Sequence, residues 1–364
     1  MTTQESRIAG SLFGLAYGDA LGKPTEFLKV VEITRRFGAT GPADLPEPAL
    51  VTDDTQMALA VGEGLVEVLT GAGASPGPST PAAPTSAALT SETLTSETLA
   101  PVWVRRFVVW AHSPENNRAP GMTCLRACGD LADGKPWIEA TRMSSKGCGA
   151  NMRVTPVGLV PGISSSTRAG AAQLQAALTH GHPTGLAASE LTAYATWWLL
   201  DGMAPADLPA ALRERALEQR EVYHHGWLGE LWRRSHDSSP ERFISRGWDE
   251  CLGVLDRLDA ALADPDPVSD PCDATGAGWI AEEALATALS CFLLFPDDPA
   301  RVLSRAATTS GDSDSIAALA GAFAGAAHGL DAFPAGWSER IEYRDRLGAV
   351  ARAIAASPLA RLGD

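Results

Sequence analysis

Apolar residues recur at helical spacing along most of this chain. Across residues 54–69, Met57, Leu59, Val61, Leu65, Val66 and Leu69 fall close to a 3.6-residue period. Across residues 7–20, Ile8, Leu12, Leu15 and Ala16 share one face, with Gly10, Gly14 and Gly18 set four residues apart, so that a second helix can approach closely. The same pattern predicts helices over 102–111, 122–131, 166–179, 185–200, 205–221, 226–235, 247–263, 280–295, 299–308, 315–330 and 337–356. The strict alternation that marks a half-buried strand is almost absent. The expectation is an all-α fold, a compact multi-helix orthogonal bundle forming a single domain over residues 1–364.

One stretch breaks the pattern. Residues 71–100 are rich in Pro, Ser, Thr and Ala and carry a tandem Thr-Ser-Glu-Thr-Leu near their end. Such a composition buries too little apolar surface to order itself. It is read as a disordered or exposed insertion in a loop, because the helical pattern resumes directly after it. The longest apolar run, 316–330, is shorter than the ~20 residues a membrane helix needs, and Asp312 and Asp314 flank it.

Composition narrows the class of protein. The 364 residues are 45% hydrophobic and 20% charged, ordinary for a soluble globular chain. A net charge of −15 argues against a basic surface that grips phosphate backbones, so no non-specific nucleic-acid binding is expected. The first residues carry no basic segment followed by an apolar one, which predicts a cytoplasmic protein. The six cysteines show no CxxC and no paired zinc spacing, and are expected to be free thiols. No extended heptad appears, which makes a monomer the expected state.

The chemistry is concentrated in two acidic clusters near opposite ends of the chain, Thr52-Asp53-Asp54 and Asp312-Ser313-Asp314-Ser315. Each precedes an apolar helical run, which is where helix N-caps stand. A cap needs one residue, however, and each cluster supplies two carboxylates with a hydroxyl beside them. Oxygen-rich sets of this kind suit hard divalent cations such as Mg²⁺ or Mn²⁺. Brought together by the fold, the clusters would form a two-metal site. Glu26 stands on the loop after the first helix, and Asp19 just before it is expected to bond backbone across the turn.

Taken together, these motifs resemble a known family. Gly18-Asp19-Ala20-Leu21-Gly22 with Glu26, Thr52-Asp53-Asp54-Thr55, Gly147-x-Gly-x-x-Met152-Arg153, Thr179-His180 and Gly311-Asp312-Ser313-Asp314-Ser315-Ile316 occur in the order seen in ADP-ribosylglycohydrolases and span most of the chain. The resemblance implies an all-α fold with a dinuclear Mg²⁺ or Mn²⁺ cleft. It implies Thr52, Asp53, Asp54, Asp312, Asp314 and Ser315 as metal ligands and Glu26 as the acidic catalytic residue. It places Ser144, Ser145, Gly147 and Gly149 at a diphosphate and His180 near the substrate. Cys148 and Met152 in the glycine turn, and Asn117 in the loop 116–121, complete the candidate substrate-binding set. The partners implied are ADP-ribose and an ADP-ribosylated substrate, with no membrane.

Two departures bear on the substrate. The family's Gly-Asn-Gly is Gly147-Cys148-Gly149 here. The loop that carries an Asp-Ile-Gly in arginine-directed members reads Asn116-Asn117-Arg118-Ala119-Pro120-Gly121. The leading expectation is release of ADP-ribose by cleavage of a glycosidic bond. The alternatives are an inactive ADP-ribose-binding or structural member, and a two-metal phosphoesterase whose product would be AMP. The first alternative is disfavoured by the presence of competent side chains at all the ligand positions and at Glu26.

Overall fold

The computed structural model describes residues 2–71, 93–357 and 359. Among the described residues there are eighteen α-helices. In chain order they are α1 (Gln4–Gly22), α2 (Val30–Phe37), α3 (Asp53–Thr70), α4 (Ser96–Ala111), α5 (Met122–Ala132) and α6 (Trp137–Ala140). Next come α7 (Thr155–Leu159), α8 (Ser165–Ala177), α9 (Pro183–Leu200), α10 (Leu208–Gln219), α11 (His225–Leu228) and α12 (Pro240–Ala263). The last six are α13 (Pro271–Thr275), α14 (Ala281–Leu294), α15 (Pro299–Ala306), α16 (Ser313–His328), α17 (Trp337–Arg340) and α18 (Arg344–Ala355). Among the described residues there is no strand, only isolated bridges such as Ala49 with Ile341 and Gly147 with Ile280.

Helices α1 and α16 join the two ends of the chain, and they meet backbone to backbone. A β-carbon placed on Gly14 would lie 2.2 Å from the carbonyl oxygen of Gly321, and one on Gly18 would lie 1.9 Å from that of Ala317. Only glycine allows that approach, and the four-residue spacing repeats it along the helix face. As Gly14 meets Gly321 and Gly18 meets Ala317, the helices run antiparallel. The C-terminal end of α1, with Asp19 and Glu26 beyond it, is thereby set against the N-terminal end of α16, with Asp312 and Asp314.

Helix α9 is apolar nearly all round and buried along most of its length, as a central helix must be. The α3–α4 pair is fastened by Trp103, fully buried, whose indole N–H donates to the Val61 carbonyl at 3.0 Å. No described helix is long and apolar enough to cross a membrane. All six cysteines are free thiols.

Several boundaries differ from those the hydrophobic period predicts. Helix α4 starts at Ser96 rather than 102, capped by Thr95, and Leu94, Leu99 and Ala100 are buried. Most of the expected insertion, residues 72–92, lies outside the described residues. The helix expected over 226–235 is interrupted at Gly229, whose φ of +52° ends α11. The one expected over 337–356 divides into α17 and α18, because Ile341 bridges to Ala49 and Tyr343 turns left-handed at φ +59°. Helix α2 has no counterpart in the period-based expectation: it is eight residues long, with only Ile33 buried.

Candidate active site

The two acidic clusters come together. Asp53, Asp54, Asp312, Asp314 and Ser315 line one cavity of about 210 Å³, with Glu26, Gly147, Cys148, Gly149, Met152 and His180. Carboxylate oxygens of Glu26, Asp312 and Asp314 lie within 4.8 Å of one another. The Thr52 hydroxyl donates to the Asp54 carboxylate at 3.3 Å.

The acids are not spent as helix caps. At α16, Asp312 occupies the N-cap position but accepts no hydrogen bond from the helix backbone. At α3 the cap is Thr52, weakly, accepting from the Asp54 N–H at 3.4 Å. The α3 N-terminus is held by Asp19 instead. Its carboxylate accepts from the Thr52 N–H at 2.8 Å, the Thr55 N–H at 3.0 Å and the Thr55 hydroxyl at 2.6 Å. Asp19 therefore fixes where α3 starts, and with it the direction in which Asp53 and Asp54 project.

The loop that carries Glu26 is tied down through Thr25. The Thr25 hydroxyl donates to the Gly22 carbonyl at 2.8 Å and bonds the Ser313 hydroxyl at 3.0 Å. Ser313 thus faces the loop after α1, while Asp312 and Asp314 on either side face the cavity. This tie between motif hydroxyl and loop is not readable from sequence spacing.

Electrostatically the site is under-compensated. Burial, and then the Asp314, Asp53 and Asp19 carboxylates, push Glu26 up to about 9. Burial and the Asp314 charge raise Asp19 to about 7. Asp53 is raised to about 7, mainly by burial, against the Gly121 N–H that donates to it at 3.2 Å. Asp54 and Asp312 are pushed well above the usual carboxylate range by burial and by their acidic neighbours. One oxygen of Asp54 and one of Asp314 are buried with no hydrogen-bond partner among the described residues. Leaving such atoms unpaired costs free energy, which protonation or a bound cation would offset. The donor set, carboxylates and hydroxyls, fits a hard cation.

Opposite the acids, the glycine turn forms the other wall. A β-carbon on Gly149 would lie 2.9 Å from the Cys124 sulfur and 3.0 Å from His180 Cε1, so the turn and the histidine are in close contact. His180 is 2% exposed, and its Nδ1 lies 2.8 Å from the Thr179 hydroxyl. Burial, then the Arg153 guanidinium, holds it well below the usual histidine range, so it is neutral. The Cys148 N–H donates to the Trp279 carbonyl and that of Ala150 to Gly147. Among the described residues the N–H groups of Gly147 and Gly149 make no backbone hydrogen bond.

Some expected positions fall elsewhere. Asn117 is exposed and does not line the cavity, Ser144 faces solvent, and Ser145 bonds Thr123 at 3.0 Å just outside it. Residues that motif reasoning did not single out do line it: Ala119, Gly121, Met122, Thr123, Cys124 and Trp279. Trp279, 43% exposed, stacks on Phe27 with ring centroids 5.4 Å apart. Its flanking Gly276 and Gly278 were the available sequence signal for a turn there.

Comparison with known proteins bears on the fold and the family. The chain is 26% identical over 338 residues to the uncharacterized protein YegU of Escherichia coli K12, covering 90% of this chain and 89% of that one. It is 24% identical over 343 residues to the ADP-ribosyl-(dinitrogen reductase) glycohydrolase of Rhodospirillum rubrum, covering 93% and 91%. A solved structure described as an ADP-ribosylglycohydrolase-related protein complex shares the fold, with a TM-score of 0.60 at 24% identity over 99% of both chains. The family model for ADP-ribosylglycohydrolase matches residues 1–362, and the chain belongs to that family.

Proposed function

We propose that this protein hydrolyses the glycosidic bond between the distal ribose of ADP-ribose and its acceptor, releasing ADP-ribose, with two divalent cations, Mg²⁺ or Mn²⁺. The observation that carries this reading is the convergence of Glu26, Asp312 and Asp314 beside unpartnered oxygens of Asp54 and Asp314. Thr52, Asp53, Asp54, Asp312, Asp314 and Ser315 would hold the cations. When bound, the cations supply Lewis acidity and orientation for the ribose hydroxyls and the attacking water.

The remaining chemistry belongs to the protein. The anomeric carbon–acceptor bond breaks through a transition state of oxocarbenium character. Water oxygen bonds to the anomeric carbon, and one water proton passes to the leaving acceptor. Glu26 is the proton carrier, the half-buried acid within reach of both faces of the cluster, and such a residue contributes ~10²–10⁴-fold. The N–H groups of Gly147 and Gly149 face the diphosphate, as backbone donors in turns suit anions. Neutral His180 keeps that wall free of a second charge.

The test is a panel of defined ADP-ribosylated arginine, serine, nucleobase and small-ester substrates with Mg²⁺ or Mn²⁺, read by mass spectrometry. Intact ADP-ribose as product supports the reading. AMP would replace it with phosphoester hydrolysis, and absence of any product with retained ADP-ribose binding would replace it with a binding role.

A further inference from the structure

Arg118 and Glu342 lie outside the cavity lining and 224 residues apart, yet they meet as a face-to-face ion pair. Arg118 Nη2 donates to Glu342 Oε1 at 2.9 Å and Nη1 to Oε2, with side-chain exposures of 15% and 18%. A guanidinium–carboxylate fork of this kind fixes direction as well as distance.

Each partner also holds residue 51. The Val51 N–H donates to Glu342 Oε2 at 3.0 Å, and the Val51 carbonyl accepts from Arg118 Nη1 at 2.7 Å. Both backbone groups of the residue that precedes Thr52 are therefore bound by one ion pair. The Glu342 backbone adds a third tie, its N–H donating to the Ala49 carbonyl at 3.1 Å.

On its other side, Arg118 leads straight into the cavity wall. Ala119 takes φ +53° and lines the cavity. A left-handed conformation costs an L residue about 1–2 kcal/mol and persists only where its surroundings enforce it. Arg118 anchors one side of it. On the other side Gly121 donates its N–H to the Asp53 carboxylate. A parallel tie, from the Tyr343 hydroxyl to the Glu115 carboxylate, keeps the same loop on the same turn.

We infer that the Arg118–Glu342 pair positions the first acidic cluster. It sets the entry into α3 and the 119–121 wall together, and so fixes where Asp53 presents its oxygens to a divalent cation. The inference rests on the cation-dependent hydrolase reading. It gives the departure in the loop 116–121 a role of its own: Arg118 makes that loop one half of a clamp.

The test uses Glu342→Gln, Arg118→Lys and the double variant in the full chain. Mn²⁺ binding is measured by calorimetry, metal-free unfolding by circular dichroism, and kcat and KM at saturating Mn²⁺. Glu342→Gln keeps an acceptor for the Val51 N–H, so it reports even if Arg118→Lys fails to fold. Each single variant is expected to weaken Mn²⁺ binding ~10–100-fold, the range for partners of metal ligands. The KM for the ADP-ribosyl substrate stays within about twofold, kcat recovers at saturating Mn²⁺, and the double variant is no worse than the worse single. Variants that unfold more easily but bind Mn²⁺ like the parent would overturn the clamp and leave the hydrolase reading standing. A parent protein that takes up no Mn²⁺ would overturn both.

Discussion

Two groups of carboxylates are buried in this protein, and they meet opposite fates. Glu190, on α9, is fully buried. It accepts from Arg215 Nε at 2.9 Å and Nη2 at 2.6 Å, and from Gln173 Nε2 at 2.6 Å, with His224 Nε2 at 3.6 Å. Burial alone would raise it, but His224 and Arg215 outweigh burial and hold Glu190 below the usual carboxylate range. Asp53, Asp54, Asp312 and Asp314 are buried almost as deeply and are raised, and Asp54 and Asp314 each keep one unpartnered oxygen among the described residues. Burial is common to both, so it distinguishes nothing. The difference is whether the fold supplies the counter-charge. At Glu190 the chain completes its own network and pins α8, α9 and α10 together. In the cleft the described residues offer these four aspartates no ion-pair partner, and such unmet demand marks a candidate site.

The comparison can be broken most strongly at its compensated end. Glu190→Gln strands Arg215 in the interior and is expected to cost about 3–5 kcal/mol, measured by urea unfolding, with turnover per folded molecule unchanged. In the cleft, Glu26→Gln is expected to lower turnover ~10²–10⁴-fold while Mn²⁺ and ADP-ribose binding persist. A loss of folding would instead make Glu26 structural.

Acidity separates the two regions further. A carboxyl whose folded pKa lies above its unfolded value binds its proton more tightly when folded. Its contribution to stability is complete below the unfolded value and vanishes as pH rises through the folded one. Asp19 and Asp53 near 7 and Glu26 near 9 should therefore make the metal-free protein lose thermal stability as pH rises from about 4 to 9. Glu190, held low, contributes the opposite sign, lost only as pH falls through its folded value. Saturating Mn²⁺ should flatten the alkaline loss, as thermal melts at each pH would report. The smallest effect is Asp54→Asn, which at alkaline pH removes one uncompensated charge. It should raise metal-free stability by about 1 kcal/mol while removing the stabilisation conferred by Mn²⁺.

Much of this was legible in the sequence, and the reasons are local. The four-residue glycine spacing in α1 announces close helix packing because nothing but a missing side chain is needed to read it. Paired acids with hydroxyls mark two segments that share one cavity, because a helix cap uses only one acid. Asp19 reads as a backbone tie because it stands at a glycine-flanked helix end. What stayed hidden depends on distant partners. Thr25 finding Ser313, Gly121 finding Asp53 and Arg118 finding Glu342 each join segments with no shared pattern. Helix α2 is too short and too exposed for periodicity to register. The break between α17 and α18 is set by the bridge to Ala49, which propensity cannot foresee.

The central claim is that the acidic cleft is a cation site and the Glu190 network is not. Calorimetric titration of Mn²⁺ into the metal-free protein, Asp314→Asn and Glu190→Gln at neutral pH tests it most directly. The account predicts saturable uptake by the unaltered protein and by folded Glu190→Gln, and its loss in Asp314→Asn. Equal uptake by the unaltered protein and Asp314→Asn, or none by the unaltered protein, would contradict it.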